Sequence, residues 1–285
     1  MIFQSEIIKI SREKGLPKST IDKDWVLGHF LAGIYSLPDL QDSLIFKGGT
    51  CLKKCWFKDY RFSEDLDFTS LSKDFVLTQE HIQQICQYVL DKSGIEMHPF
   101  SIRPLLHKNI LVGYEAQILF WGADHRQNEV PPTKDRWHSK IKMEITLFEK
   151  MMFKPEIRPV YHTYSDQLQP EDLQIPCYSI EEVLAEKMRA LIQRSYTAPR
   201  DYYDLWYLNQ KFPNLDWLLI TQAFHQKMLF KGFTFTGIDQ LINPENEKAL
   251  KGAWENSLSH QISRDELPSY EEINLSLKNL FQKLF

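Results

Sequence analysis

Acidic and apolar residues alternate along Asp65–Phe68, within the segment 65–70 for which we predict a strand, and this alternation restricts the fold more than any other feature of the sequence. Successive side chains of a β-strand point to opposite faces, so Asp65 and Asp67 share one face while Leu66 and Phe68 share the other. Two carboxylates held so close repel each other unless a cation lies between them. We therefore expect an apolar face on a core, and an acidic face that either binds a divalent ion such as Mg²⁺ or faces solvent.

Two glycines and a threonine precede this strand, directly after the apolar segment 43–46, for which we predict a short strand. Gly48 and Gly49 let the backbone approach a ligand closely, and N–H groups at the start of the next helix, at Thr50, can bind phosphate. A tight turn without a ligand is the alternative interpretation. Ser63, further along, is a candidate either for a phosphate contact or for capping a turn.

A third acidic residue lies in the alternating segment 140–148, for which we predict another strand. Glu144 shares a face with Lys142, between apolar neighbours that point the other way. If the two acidic strands are neighbours in the sheet, Glu144 can join the aspartates as a third metal ligand. The alternative is a half-exposed strand on which Lys142 and Glu144 form an ion pair.

The chain changes character near residue 150. Before it, periodicity predicts helices within 1–40 and over 78–94, and extended segments at 110–120 and 140–148. After a Pro-rich, irregular stretch, the pattern is almost entirely helical. These patterns indicate an α+β N-terminal domain over 1–150 and a mainly helical C-terminal domain over 151–285. The predicted helices of the second domain are 180–194, 200–210, 215–229, 245–257 and 271–284.

Two polar positions in the helical half are candidates for chemistry. Lys187 falls beside the apolar arc of its helix, so its ammonium group either reaches solvent along apolar surface, meets a buried partner or contacts a triphosphate. Asp201 follows Pro199 at the start of the next helix, where an acid also complements the helix dipole. Asp204 lies on the same helix, and the sequence does not decide which of the two acids is functional.

The charge balance excludes a basic nucleic-acid coat, since 34 Lys and Arg face 38 Asp and Glu, for a net charge of −4. Two local clusters are basic instead. Residues 47–61 hold five basic residues against one acid, and residues 134–142 hold four against one. Both clusters suit a triphosphate or an RNA backbone, with a solvated charged face as the alternative.

The sequence lacks the signatures of several other classes of protein. No apolar run approaches the ~20 residues that cross a bilayer, and the N-terminal residues lack a signal-peptide core. The four cysteines include no C-x-x-C pair, so we expect a cytoplasmic protein with reduced thiols and no membrane association. The histidines lack zinc-hydrolase spacing, and neither the serine-hydrolase motif nor the Walker motif is present.

The order of these features resembles the nucleotidyltransferase superfamily related to DNA polymerase β, although the gap between Gly49 and Asp65 is slightly longer than usual there. A narrower resemblance, to the AbiEii/AbiGii nucleotidyltransferase family of type IV toxin–antitoxin and abortive-infection systems, spans residues 46 to 208. It rests on the segments FKGGTCLKK (46–54), RFSEDLDFT (61–69), KIKMEIT (140–146), SIEEVLAEKMRALIQR (179–194) and PRDYYDLWYL (199–208). The last quarter of the chain carries no matching signature.

The resemblance implies a nucleotidyltransferase-type mixed sheet with flanking helices, and a C-terminal domain that completes the active-site cleft. It implies an Mg²⁺-dependent enzyme, with Mn²⁺ as an alternative ion, that transfers NMP from an NTP to a tRNA acceptor end. A cognate antitoxin is a further implied partner. The alternatives are nucleotidylation of a small molecule or a protein hydroxyl, or a non-catalytic binding protein of the same fold.

The resemblance also implies roles for individual residues. Metal would be held by Asp65 and Asp67, with Glu144 as a third ligand. The β- and γ-phosphates would be bound by Gly48, Gly49 and Thr50, with Ser63 as a further contact. Lys187 would neutralise the triphosphate, and Asp201 would orient Lys187 or activate the acceptor hydroxyl.

Overall fold

A computed structural model of the chain describes residues 1–126, 128–194 and 198–285. The chain divides into two units. The sheet unit comprises Met1–Glu149 and Pro155–Cys177, and the helical unit comprises Lys150–Lys154 and Tyr178–Phe285.

The described residues of the sheet unit form one mixed sheet of seven strands. The strands are β1 (Leu44–Lys47), β2 (Asp65–Ser70), β3 (Glu96–His107), β4 (Ile110–Trp121), β5 (Lys140–Thr146), β6 (Glu156–Pro159) and β7 (Gln174–Cys177). The order across the sheet is β3-β4-β5-β2-β1-β7-β6. Strand β2 lies at its centre, antiparallel to β1 and parallel to β5, and β1 also pairs in parallel with β7.

Helices and apolar strand faces form the core of the sheet unit. The longest helix of this unit, Lys18–Tyr35, is buried over most of its length, because Trp25, Phe30 and Ile34 lie among apolar neighbours. Thr78 caps the helix that follows β2 by accepting a hydrogen bond from the backbone N–H of His81. The helices are α1 (Gln4–Lys14), α2 (Lys18–Tyr35), α3 (Pro38–Gln41), α4 (Gly48–Cys51) and α5 (Gln79–Ser93), with a π-helical turn at Leu52–Trp56 and a 3₁₀ turn at Lys134–Arg136.

The helical unit includes a buried ion pair between two of its helices. Lys227 and Glu182 are both fully buried, with Nζ 2.5 Å from Oε1. Glu182 also accepts the backbone N–H groups of Met152 and Phe153, at 2.8 Å each, which ties Lys150–Lys154 to this unit. The helices are α6 (Ile180–Gln193), α7 (Pro199–Lys211), α8 (Trp217–Phe230), α9 (Pro244–Leu258) and α10 (Tyr270–Leu284), with a 3₁₀ turn at Ile238–Gln240.

The α+β fold class and the mixed sheet are confirmed, and β2 spans the predicted segment 65–70. The Pro-rich stretch differs from the irregular structure predicted for it. It contains β6 and β7, and β7 pairs with β1 through Phe46 and Cys177, so Pro155–Cys177 lies with the sheet unit. No helix of the described residues has both the length and the apolar character needed to cross a bilayer.

The apolar face of β2 is expected to carry much of the stability of the sheet unit. Phe68 is 0% exposed, and its ring centroid lies 5.2 Å from that of Phe46 and 6.3 Å from that of Tyr35. We expect Phe68→Ala to lower the free energy of unfolding by about 3–5 kcal/mol, because it opens a cavity that its neighbours fill only in part. Urea denaturation measures the loss.

Phe100→Ala is the matched control, because Phe100 lies on β3 and is 62% exposed. This substitution should change the free energy of unfolding by no more than about 0.5 kcal/mol. Equal losses for the two variants would contradict the assignment of the β2 face to the core.

Candidate active site

The parallel pairing of β2 with β5 places three carboxylates on one face of the sheet. Asp65 lies opposite Lys142 and Asp67 lies opposite Glu144, so these four side chains point to the same side. The condition for a third carboxylate, that the two acidic strands be neighbours, is therefore met. Asp65, Asp67 and Glu144 form what we call the carboxylate cluster.

The electrostatics of Asp67 fit a cation-binding position. Burial, together with the charges of Glu144 and Asp65, raises the pKa of this carboxyl to about 6, although Lys47 and Lys142 oppose the shift. Asp67 is thus held where its ionised form is disfavoured. Carboxylate oxygens are the ligands that Mg²⁺ and Mn²⁺ prefer, and a divalent ion would relieve this repulsion, so the donor set fits such an ion.

Glu144 also has a partner within the protein. Lys142 Nζ lies 3.1 Å from Glu144 Oε2 and 3.8 Å from Glu115 Oε2. The alternative interpretation of this strand, a Lys142–Glu144 ion pair, is therefore present in the structure. Both side chains are 37% exposed, so Glu144 has room to exchange the lysine for another cation.

Glu115 is a fourth acid beside the cluster, and it was not predicted from the sequence. It lies on β4 directly opposite Glu144. Arg103 holds it through two hydrogen bonds, Nε to Oε1 at 3.0 Å and Nη2 to Oε2 at 2.9 Å. These bonds to Arg103 lower the pKa of Glu115. The sequence did show an acid among the apolar residues of this strand. It could not show that Glu115 lies next to Glu144, because that depends on the pairing of β4 with β5.

The glycine turn contacts the carboxylate cluster. Gly48 has a φ of +80°, and a Cβ built there would lie 2.4 Å from Asp67 Oδ2. Glycine is therefore required both by the backbone conformation and by the close approach of the carboxylate. Thr50 is buried and donates its hydroxyl hydrogen to the backbone carbonyl of Asp65, which fixes the turn to the acidic strand.

Arg61 and Ser63 lie on the other side of this turn. A Cβ built at Gly49 would be 2.6 Å from Arg61 Nη2 and 3.0 Å from Ser63 Oγ. The structure thus brings together the predicted residues Gly48, Gly49, Thr50 and Ser63, and adds a buried guanidinium group next to them. A planar guanidinium group beside backbone N–H groups is suited to a phosphate.

Lys187 and Asp201 lie in the helical unit, where they form a second charged group with Asp204. Lys187 Nζ is 2.8 Å from Asp201 Oδ1 and 2.6 Å from Asp204 Oδ2. Arg194 also contacts Asp201, through Nη1 and Oδ2. The side chains of Lys187, Asp201 and Asp204 are buried, whereas Arg194 is exposed. Within this unit, Lys187 therefore has buried partners, which was one of the interpretations of its position beside the apolar arc.

The interpretation of 47–61 as one ligand-facing basic cluster is wrong for two of its lysines. Lys54 is buried and pairs with Asp24 at 2.7 Å, and Lys53 donates to the backbone carbonyl of Lys58 at 2.5 Å. Burial lowers the pKa of Lys53 to about 8. Both ammonium groups are therefore used by the fold, because the helical turn that carries them packs into the core.

A family profile described as "Nucleotidyl transferase AbiEii toxin, Type IV TA system" matches residues 29–274. Because this profile covers more than half of the chain, the protein is a nucleotidyltransferase, and it belongs to the AbiEii family of nucleotidyltransferase toxins of type IV toxin–antitoxin systems. Membership implies an NTP substrate and an antitoxin partner. Nucleotidyltransferases of this superfamily generally use divalent metals.

A solved structure of a nucleotidyltransferase toxin shows the same fold. MenT4, the nucleotidyltransferase toxin Rv2826c from Mycobacterium tuberculosis H37Rv, aligns over 100% of this chain and 90% of its own, with 16% identity and a TM-score of 0.67. An antigenic nucleotidyltransferase-like protein from Paracoccidioides brasiliensis aligns over 81% of this chain and 93% of its own, with 12% identity and a TM-score of 0.32. None of the curated protein sequences matches the chain.

The close approach of Gly48 to Asp67 gives a direct test of the glycine turn. Gly48→Ala adds a Cβ in the space of the Asp67 carboxylate, and it also strains a backbone with φ of +80°. We expect about 1–2 kcal/mol lower stability and nucleotide transfer reduced by about 10²-fold, because the added Cβ displaces the Asp67 carboxylate. Transfer is measured with labelled NTP, and stability by thermal unfolding.

Gly232→Ala is the control, since Gly232 has a φ of +77° and a Cβ there meets nothing within 4 Å. It should cost similar stability and leave transfer unchanged. If both variants lose transfer in proportion to their loss of stability, the turn has no specific role.

Proposed function

We propose that this protein is an Mg²⁺-dependent nucleotidyltransferase toxin that transfers NMP from an NTP to the acceptor end of tRNA. The observation that carries the proposal is the carboxylate cluster next to the glycine turn, with the Cβ position of Gly48 only 2.4 Å from Asp67 Oδ2. Family membership supports the toxin role and the use of an NTP. The metal, the acceptor and the residue roles are the parts proposed here.

Asp65 and Asp67 would hold the divalent ion, with Glu144 as a third ligand after exchange from Lys142. The bound ion would supply positive charge to the polyphosphate and to the attacking acceptor oxygen. Parallel pairing of β2 with β5 fixes the spacing of the ligands before any ion binds. The site is thus preorganised, and little of the binding free energy is spent on ordering its side chains.

The β- and γ-phosphates would bind at the glycine turn. The backbone at Gly48, Gly49 and Thr50 offers N–H groups where α4 begins. Ser63 Oγ and the Arg61 guanidinium group lie close to the Cβ position of Gly49, and both would donate to the same phosphate oxygens. Because Gly48 and Gly49 have no side chains, the turn leaves space for the phosphate oxygens to approach its backbone.

Lys187 would neutralise the triphosphate in the proposed reaction. Its hydrogen bond to Asp201 and its ion pair with Asp204 support the first of the two roles considered for Asp201, which is to orient Lys187. Two carboxylates hold one ammonium group, so the side chain has a fixed position. We therefore assign Asp201 as a positioning residue.

The second basic cluster supports an RNA acceptor. Lys134, Arg136 and Lys140 are exposed, and Lys142 lies on the face of β5 that carries Glu144. Lys140 alternates with Lys142 and Glu144 along β5, and Lys134 and Arg136 lie in the segment that precedes this strand. A phosphate backbone is the ligand that such a row of cations suits best, with affinity that falls as salt rises.

The first experiment combines the purified protein with Mg²⁺, each α-labelled NTP in turn, and total tRNA. We expect label on tRNA with one NTP, resolved on a denaturing gel. Asp65→Asn and Asp67→Asn should each lower the rate by about 10²-fold or more, since each removes charge that stabilises the transition state. Asp74→Asn, an exposed acid just after β2, should leave the rate unchanged.

Label on a protein or a small molecule in added lysate, with none on tRNA, would show that the protein is a nucleotidyltransferase with an acceptor other than tRNA. No transfer to any acceptor, together with undiminished toxicity of Asp65→Asn in cells, would favour a non-catalytic binding protein. Full transfer activity in Asp65→Asn would contradict the metal-site assignment.

Metal binding is expected to depend on pH through Asp67. Below its pKa of about 6 in the metal-free protein, this carboxyl is protonated, and the proton competes with the ion. The affinity for Mn²⁺ should therefore be nearly constant above pH 6 and fall about tenfold per pH unit below it. Electron paramagnetic resonance of free Mn²⁺ measures the affinity.

Asp67→Asn removes the titrating group, so its weaker Mn²⁺ binding should lose this pH dependence, while Asp74→Asn should retain it. A wild-type affinity that is flat through pH 6 would show that Asp67 is not a ligand.

A further inference from the structure

Three of the four cysteines meet at one point of the sheet unit. Cys51 is the last residue of α4, Cys55 lies in the π-helical turn that follows, and Cys177 is the last residue of β7. Their sulfur atoms all lie within 4.8 Å of one another, and each residue is 0% exposed. We call these residues the thiol cluster.

The fold brings the three sulfurs together from distant parts of the chain. Cys51 and Cys55 are four residues apart and therefore share one helical face. Cys177 pairs with Phe46 of β1, the strand that leads into the glycine turn. Since α4 begins at that turn and ends at Cys51, the thiol cluster joins the turn to the neighbouring strand β7.

Positive charge faces the thiol cluster. Lys54 and Arg158 favour the thiolate form of Cys55, and with hydrogen bonds from the other two thiols they lower its pKa although burial opposes this. Burial raises the pKa of Cys51 and Cys177 well above the ordinary value, so these two are protonated without a bound cation. Arg158 stays close to Cys55, with Nε 3.4 Å from its carbonyl oxygen.

Buried cysteines often serve only as small apolar residues, but that role does not require three sulfurs to converge. A disulfide between any two would leave the third thiol beside it. Three mutually close sulfurs are instead a complete ligand set for a soft metal ion. Within the described ranges, no histidine or carboxylate joins the group as a fourth ligand. Structural zinc sites are almost always four-coordinate, so three sulfurs favour Cu(I).

We propose that Cys51, Cys55 and Cys177 form a binding site for one Cu(I) ion, coordinated by three thiolates beneath the glycine turn. Each thiol that ligates the ion loses its proton to solvent, so binding weakens as pH falls. The ion would cross-link α4 to β7 and hold the turn in place. This site is separate from the carboxylate cluster and does not depend on the proposed reaction.

The test is an anaerobic titration of the reduced full-length protein with Cu(I), in competition with a chromophoric Cu(I) chelator. We expect one equivalent to bind, with three sulfur neighbours in the X-ray absorption spectrum and a higher melting temperature. Cys177→Ser removes a direct ligand of the ion. It should therefore weaken binding by more than about 100-fold, which is the largest loss expected when only an outer-shell partner of a ligand is removed.

Cys86→Ser is the matched control, because Cys86 is a buried thiol on α5 outside the cluster. It should bind Cu(I) as the wild type does. Asp65→Asn, which removes a proposed ligand of the other metal site, should also leave Cu(I) binding unchanged, so the two proposals fail independently.

Three results would overturn the proposal. These are no stoichiometric binding by folded Cys86→Ser, unweakened binding by Cys177→Ser, or tighter binding of Zn²⁺ than of Cu(I). If Cys177→Ser does not fold, the sulfur count in Cys86→Ser decides, since only three thiols remain in that variant. Fewer than three sulfur neighbours there would refute the three-thiolate site.

Discussion

The repulsion among Asp65, Asp67 and Glu144 is the constraint around which the sheet unit is arranged. Their carboxylates share one face because β2 pairs with β5 in parallel, with Asp67 opposite Glu144. On the opposite face, Leu66 and Phe68 are fully buried, so β2 cannot rotate to separate the charges. Hydrophobic burial thus holds an unfavourable electrostatic arrangement in place, and a bound cation would make it favourable.

Each unit also contains a buried ion pair between its own elements. Lys54–Asp24 lies in the sheet unit, and Lys227–Glu182 lies in the helical unit. Removing one partner of such a pair leaves an uncompensated buried charge, which is far more costly than the pair is stabilising. The pairs therefore specify which helices pack together. They also explain why lysines near the glycine turn are not all available to a ligand.

The sequence predicted those elements whose periodicity is local. The strand 65–70 and the helices after residue 179 follow from alternation and from apolar spacing, and Ser179 caps α6 by accepting from the N–H of Glu182. No strand was predicted at β3, which carries Pro99 and Pro104, since proline is tolerated in edge strands but weakens the strand signal. Strands β6 and β7 are four residues each and were hidden in a Pro-rich stretch, since their pairing is with distant residues.

By itself, the sequence determined the acidic face of β2, the glycine turn before it and the family to which the chain belongs. Only the tertiary structure decided that Glu144 lies beside Asp67, that Lys54 is buried, and that Arg61 reaches Gly49. The tertiary structure also decided that Cys177 lies beside Cys51 and Cys55. The reason is physical. Side-chain periodicity reports which face of its own element a residue occupies, whereas neighbours across a sheet depend on strand order, which long-range packing sets.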